Sequence, residues 1–362
     1  MKIKALIAGI LMLILTGSMH AQTEVATYLQ AGLTDSPKLI EAFMRPLSNV
    51  IGSDMNAGWY NTAAVQKRYG FDITFTVSAA LAPGADQNFD IANLGLTNAS
   101  LQDPSKSVAP SVAGENIAGP SLQLFKLNPA TNQPVLLMRF NSPKGGGYPT
   151  FPLPMIKAAI GLPAGFELIG RFLPKITYND ISMTMWGLGI KYDLLQYLPF
   201  REKVPYLNTS FLCAYTNTKS ASELDFQRQE YQDFHGRILP GGQPTYPDQI
   251  MDISAQAMLL SLLFSADMSV ITLYGAAGYS TSSFGLKLLG DYPLIDIDNQ
   301  GTINIKDAKD PVSIDFDKFS GPQFTAGIRL KVSILTLHAD YTFANYPTAA
   351  VGLGLMFNQK AK

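Results

Sequence analysis

Phe324-Thr325-Ala326-Gly327-Ile328-Arg329-Leu330-Lys331-Val332 alternates apolar and polar residues without a break. A strand sends successive side chains to opposite faces. Phe324, Ala326, Ile328, Leu330 and Val332 therefore share one face, and Thr325, Gly327, Arg329 and Lys331 the other. Residues 334–343 repeat the pattern, with Leu335, Leu337, Ala339, Tyr341 and Phe343 set against Thr336, His338, Asp340 and Thr342. In 349–357, Val351, Leu353, Leu355 and Phe357 oppose Ala350, Gly352, Gly354 and Met356. Working towards the N-terminus, further strands are predicted at 271–281, 252–265, 207–217, 182–192, 166–176 and 71–80, with 57–65 the weakest. In 182–192 the phase is ambiguous, and Gly187 and Gly189 mark a candidate bulge.

The N-terminus supplies the context. Lys2 and Lys4 precede an apolar run over 5–15, then Gly17, Ser18, Met19, His20 and Ala21. This is the pattern of a secretory signal over 1–21, cut near Ala21 to leave Gln22 first. An exported chain of alternating strands reads as an all-β protein, a transmembrane antiparallel β-barrel of roughly 10–14 strands. The expected address is the outer membrane of a Gram-negative bacterium. Charged residues are 15% of the 362 and hydrophobic residues 47%. Soluble domains carry about 25% charge. A net charge of −1 gives no footing for nucleic acid. Cys213 is the single cysteine, so no intrachain disulfide can form.

The expected plan after the signal is a helical hatch or periplasmic element over 22–56, then a barrel over 57–357 and a short tail over 358–362. The hatch start is marked by Asp35 and Ser36 ahead of Pro37. Within the barrel, 82–162 is a long insert, and 218–250 and 282–322 are polar extracellular loops. Counting strands back from Phe357 puts 82–162 at the periplasmic end, where connections are normally short. Either the insert folds into the lumen, or it holds a further pair of strands.

Little catalytic chemistry is present. A charge on the lipid face costs about 2–4 kcal/mol for Arg or Lys at the midplane. Glu167, Arg171 and Lys175 are therefore expected to face the lumen, as are Arg329, Lys331, His338 and Asp340. Arg171 and Glu167 should meet either the other lumen charges or a segment folded in from elsewhere. His338 and Asp340 could form a catalytic pair, but ion pairing with Arg329 and Lys331 is the favoured reading. Asp296, Asp298, Gln300 and Asp307 imitate a calcium loop, with an acidic surface loop as the alternative. No cofactor is expected, and no enzyme activity.

The segment Ala159-Ile160-Gly161-Leu162-Pro163, with Phe166-Glu167-Leu168-Ile169-Gly170-Arg171-Phe172-Leu173-Pro174 after it, resembles a motif of FadL-like outer-membrane transporters. Trp186-Gly187-Leu188-Gly189-Ile190-Lys191-Tyr192-Asp193 resembles the strand that follows it there. Closer still, the chain looks like an outer-membrane family known only as a domain of unknown function. The resemblance implies a passive channel for small hydrophobic molecules with an N-terminal hatch. A structural or adhesive barrel with a filled lumen is the alternative. Expected partners are outer-membrane lipids, a small hydrophobic solute and the outer-membrane assembly machinery.

Overall fold

A computed structural model gives the fold and describes residues 25–178, 181–197, 204, 206–231 and 238–357. The signal over 1–21 and its cut, His20, His235, Asn179, Asp180 and the tail 358–362 lie outside the described residues.

Ten strands form the barrel: β1 (Phe71–Ala80), β2 (Leu153–Gly161), β3 (Phe166–Tyr178), β4 (Ile181–Asp193), β5 (Leu207–Glu223), β6 (Ile250–Met268), β7 (Ile271–Leu289), β8 (Phe319–Val332), β9 (Leu335–Phe343) and β10 (Thr348–Phe357). Each pairs antiparallel with the next, and β1 pairs with β10, Phe71 opposite Phe357, to close the wall. Closure leaves no open edge along the wall, which is what a spanning sheet requires. No described helix is long and apolar enough to cross a membrane.

The alternation sorts as the C-terminal hairpins imply. Leu337, Leu353 and Phe343 project outward, 51%, 51% and 58% exposed, while Thr336, His338 and Thr342 are buried inside. On β6, Met258, Leu260, Leu262 and Phe264 face out, and Gln256 and Ser254 continue the same face above them. On β7 the change falls between Tyr279 and Thr281. The apolar band is thus about nine residues tall on β9, or about 25 Å after strand tilt. β5, β6 and β7, at 17, 19 and 19 residues, run well past the band as a polar-faced collar.

Three sequence expectations are corrected. Residues 57–65 are not a strand: they run inside the barrel, and their backbone groups are met by lumen side chains. A wall strand lies instead in the insert, at Leu153–Gly161. Its alternation is masked because Leu153 and Met155 face inward against apolar residues while Ile156 and Ile160 face out. One strand lost and one gained moves the rest of the insert, 81–152, to the end that carries 224–249 and 290–318. The opposite end has short turns at 162–165, 269–270 and 333–334, where Ser269 and Ser333 take left-handed φ of 59° and 57°. The polar segments 218–223 and 282–289 belong to β5 and β7, so both loops begin later than their composition suggests.

Helix α1 (Gly32–Asn56) descends from the long-loop end. Phe43, Leu39 and Ile40 are fully buried in one cluster with Leu122, Leu124 and Phe140 of the insert and Leu286 and Leu288 of β7. Asp35 does not cap the helix. Its carboxylate accepts the backbone N–H groups of Thr97, Asn98 and Ala99 at 2.7–2.8 Å, pinning the insert to the helix. A hairpin over 291–309 completes this cap, and Lys126 of the insert pairs with its Asp296.

Candidate functional site

Below Asn56 the chain leaves the helix and runs through the membrane band as 57–70 before entering β1. Irregular backbone there must find partners for its N–H and C=O groups. The lumen wall supplies them. Arg171 of β3 donates to the carbonyls of Met55 at 2.7 Å and Ala57 at 2.5 Å, where the end of α1 leaves acceptors free. Thr216 reaches Met55 as well, at 3.3 Å. Lys157 donates to the Trp59 carbonyl at 3.3 Å, and Lys191 to that of Ala64 at 2.9 Å. Glu167 accepts the N–H of Gln66 at 2.7 Å and pairs with Lys191 at 3.0 Å, both side chains 4% exposed. A charge partnered in this way is tolerable in a dry interior; an unpartnered one is not.

Trp59 is the anchor. Its ring is 1% exposed and stacks under the Arg171 guanidinium, 4.0 Å from its carbon to the ring centroid. The ring also lies against Gly187 and Gly189, where an added Cβ would approach it to 3.1 Å. These glycines therefore make room for an aromatic ring and form no bulge. The register shift sits on β3, between Leu173 and Ile176. On β4 the phase is now clear, with Trp186, Leu188 and Ile190 outward and Lys191 inward. On the far wall Tyr60 donates to Thr325 at 2.9 Å, and Ser265 bonds Thr62 and the Ala63 N–H.

Of the lumen residues named from sequence, Glu167 and Arg171 converge on this clamp. Lys175 does not: it is exposed, within the register shift between Leu173 and Ile176. Arg329, His338 and Asp340 face inward but do not pair with one another. Register sets Arg329 opposite His338, and Asp340 opposite Gly327. Tyr274 of β7 reaches across Gly327 and donates to Asp340 at 2.8 Å. Arg329 contacts the Met356 sulfur at 3.5 Å, and neither His338 nitrogen has a hydrogen-bond partner among the described residues. Lys331 is only partly buried, at the short-turn end.

The calcium-loop residues lie on the 291–309 hairpin and its turn. Asp296 is engaged by Lys126, Asp298 closes its own turn onto Gln300 and Thr302, and Asp307 binds Tyr246 at 2.5 Å. The carboxylates serve separate contacts, and no metal-holding group of three or more appears among the described residues. Sequence reasoning passed over Lys157, Lys191 and Trp59. Lys191 was legible, since its strand faces lipid with Leu188 and Ile190, and a lysine in odd phase must face in.

A closed ten-stranded barrel with an apolar outer band and a plugged lumen has the architecture of an outer-membrane β-barrel. The chain belongs to a family of unknown function, DUF6588, whose model matches residues 1–357. No curated protein matches it. Among solved structures it is similar to Ail, the attachment invasion locus protein of Yersinia pestis, at 7% identity, TM-score 0.24, over 80% of this chain and 99% of that one. The translocator domain of autotransporter NalP from Neisseria meningitidis matches at 9% identity, TM-score 0.26, over 90% and 99%. The toluene transporter TodX of P. putida matches at 8% identity, TM-score 0.23, over 80% and 91%.

Proposed function

We propose that this protein is a bacterial outer-membrane barrel closed by its own N-terminal segment, with the cap over 81–152 and 290–318 as its outward-facing working surface. Its role on this reading is structural or adhesive, not catalytic. The short turns then face the periplasm and the long loops the exterior, as is usual for such barrels. The export pattern at the N-terminus supports the location, with membrane lipids and the assembly machinery as partners. The observation that carries the reading is the clamp: backbone carbonyls from Met55 to Ala64 are held by Arg171, Lys157 and Lys191 inside the membrane band.

A second reading is uptake of a small hydrophobic solute. It is favoured by the place of the transporter-like segments, since 159–174 and 186–193 form the wall that grips Trp59. Uptake would then require Trp59 to leave Gly187 and Gly189. Swelling of liposomes carrying the purified protein separates the two. Closed vesicles with every solute support the filled lumen; swelling with small aromatic solutes supports uptake.

A further inference from the structure

Beneath the clamp, the lumen wall holds a row of buried polar groups with unmet hydrogen-bonding atoms. Arg329 of β8, His338 of β9, Gly352 of β10 and Thr76 of β1 are successive cross-strand partners in one register. Thr76 is fully buried, His338 is 2% exposed and Arg329 5%. Among the described residues, the Arg329 Nε, both His338 nitrogens and the Thr76 hydroxyl have no hydrogen-bond partner, and neither does one oxygen of Asp72, two inward positions below Thr76. Five orphaned atoms in one patch exceed what a folded interior normally leaves unsatisfied.

The glycines show that the space is shaped. A Cβ on Gly352 would meet the His338 ring at 2.2 Å, so the imidazole lies flat over that glycine towards Thr76. Above, the plug main chain forms a roof: a Cβ on Gly58 would come within 3.0 Å of Thr76. Unmet donors, Arg329 among them, and an unmet acceptor, Asp72, stand in the same patch. A ligand of one sign would satisfy one and repel the other. Water, which donates and accepts, satisfies both.

We infer that this patch is a hydration site: a small group of ordered waters bridges Arg329, His338, Thr76 and Asp72 beneath the plug. The seal of the barrel then lies in the Trp59–Arg171 layer, and the lumen below it is wet. The inference holds whether or not the cap binds a partner, because it concerns only the lower lumen.

Radiolytic hydroxyl labelling of the intact, detergent-solubilised protein tests it, since radicals born from bound water oxidise the side chains beside that water. Met356 lies against Arg329 and is 5% exposed; Met44 and Met185, at 2% and 0%, sit in the apolar cluster around α1. Surface access is therefore nearly equal for all three. Oxidation of Met356 and His338 several-fold faster than that of Met44 and Met185 is the expected result. Equal protection of all four would overturn the hydration site while leaving the plugged lumen untouched.

Discussion

The two halves of the plug differ in what is added to apolar burial. In the collar, α1 is fastened by apolar burial: Phe43 is fully buried and meets Tyr28 edge to face, with centroids 5.7 Å apart. In the membrane band, Trp59, Tyr60 and Ala63 pack on Ile169, Leu212, Leu259 and Leu263 of the wall, but the main chain of 57–66 is held by charged wall side chains. The first kind of contact is strong and indifferent to direction. The second depends on a handful of oriented hydrogen bonds. Stability of the whole protein should therefore reside in the collar and closure of the lumen in the clamp.

Phe43→Ala should have the largest effect on stability, about 3–5 kcal/mol for a fully buried phenylalanine. It should lower the unfolding temperature on a heat-modifiability gel and leave the lumen closed. A leaky but equally stable variant would break the division of labour. Next, Leu337→Arg sets a charge in hydrocarbon at about 2–4 kcal/mol and should impair assembly, whereas Thr336→Ser on the inner face should be mild. Equal outcomes in a membrane-insertion assay would show the strand phase to be reversed.

Arg171→Met removes charge-assisted bonds to two carbonyls, each worth about 1.5–3 kcal/mol. The barrel should still form, because the wall pairing is untouched, but limited proteolysis should now cut the chain between Met55 and Gln66. Protection equal to the parent would argue that the wall charges do not hold the plug.

The smallest effect belongs to the cap. Partial burial of Asp296 works against ionisation, but the Lys126 ammonium and the Ile297 N–H outweigh it and hold the carboxyl below its ordinary value of 3.8. A lowered carboxylate pKa stabilises above the unfolded value, and that contribution is lost as pH falls through the folded one. The tie between insert and hairpin should thus weaken below about pH 4, by no more than about 1 kcal/mol for a half-exposed pair. Hydrogen exchange over 121–127 and 291–309 at pH 3 and pH 6 would detect it; no change, or none lost with Asp296→Asn, would contradict it.

Legibility in the sequence followed the contrast between the two solvents. β8, β9 and β10 were readable because lipid on one side and polar lumen on the other impose opposite chemistry on alternate residues. β2 was not, because its inner face at Leu153 and Met155 meets apolar residues rather than water. The inward turn of Arg171 and Glu167 followed from the cost of charge in hydrocarbon. What they grip could not be read, since the acceptors are carbonyls, which every residue carries. His338 and Asp340 shared a face as read, but Asp340 lies opposite Gly327, two residues from Arg329, and this gave it to Tyr274.

Planar-bilayer conductance of the intact protein beside Trp59→Ala tests the central claim most directly. Closure by the clamped segment predicts a silent intact barrel and resolved openings once the ring is lost from Gly187 and Gly189, with heat-modifiable mobility retained in both. A steadily conducting intact barrel, or a folded Trp59→Ala barrel as silent as its parent, would contradict it.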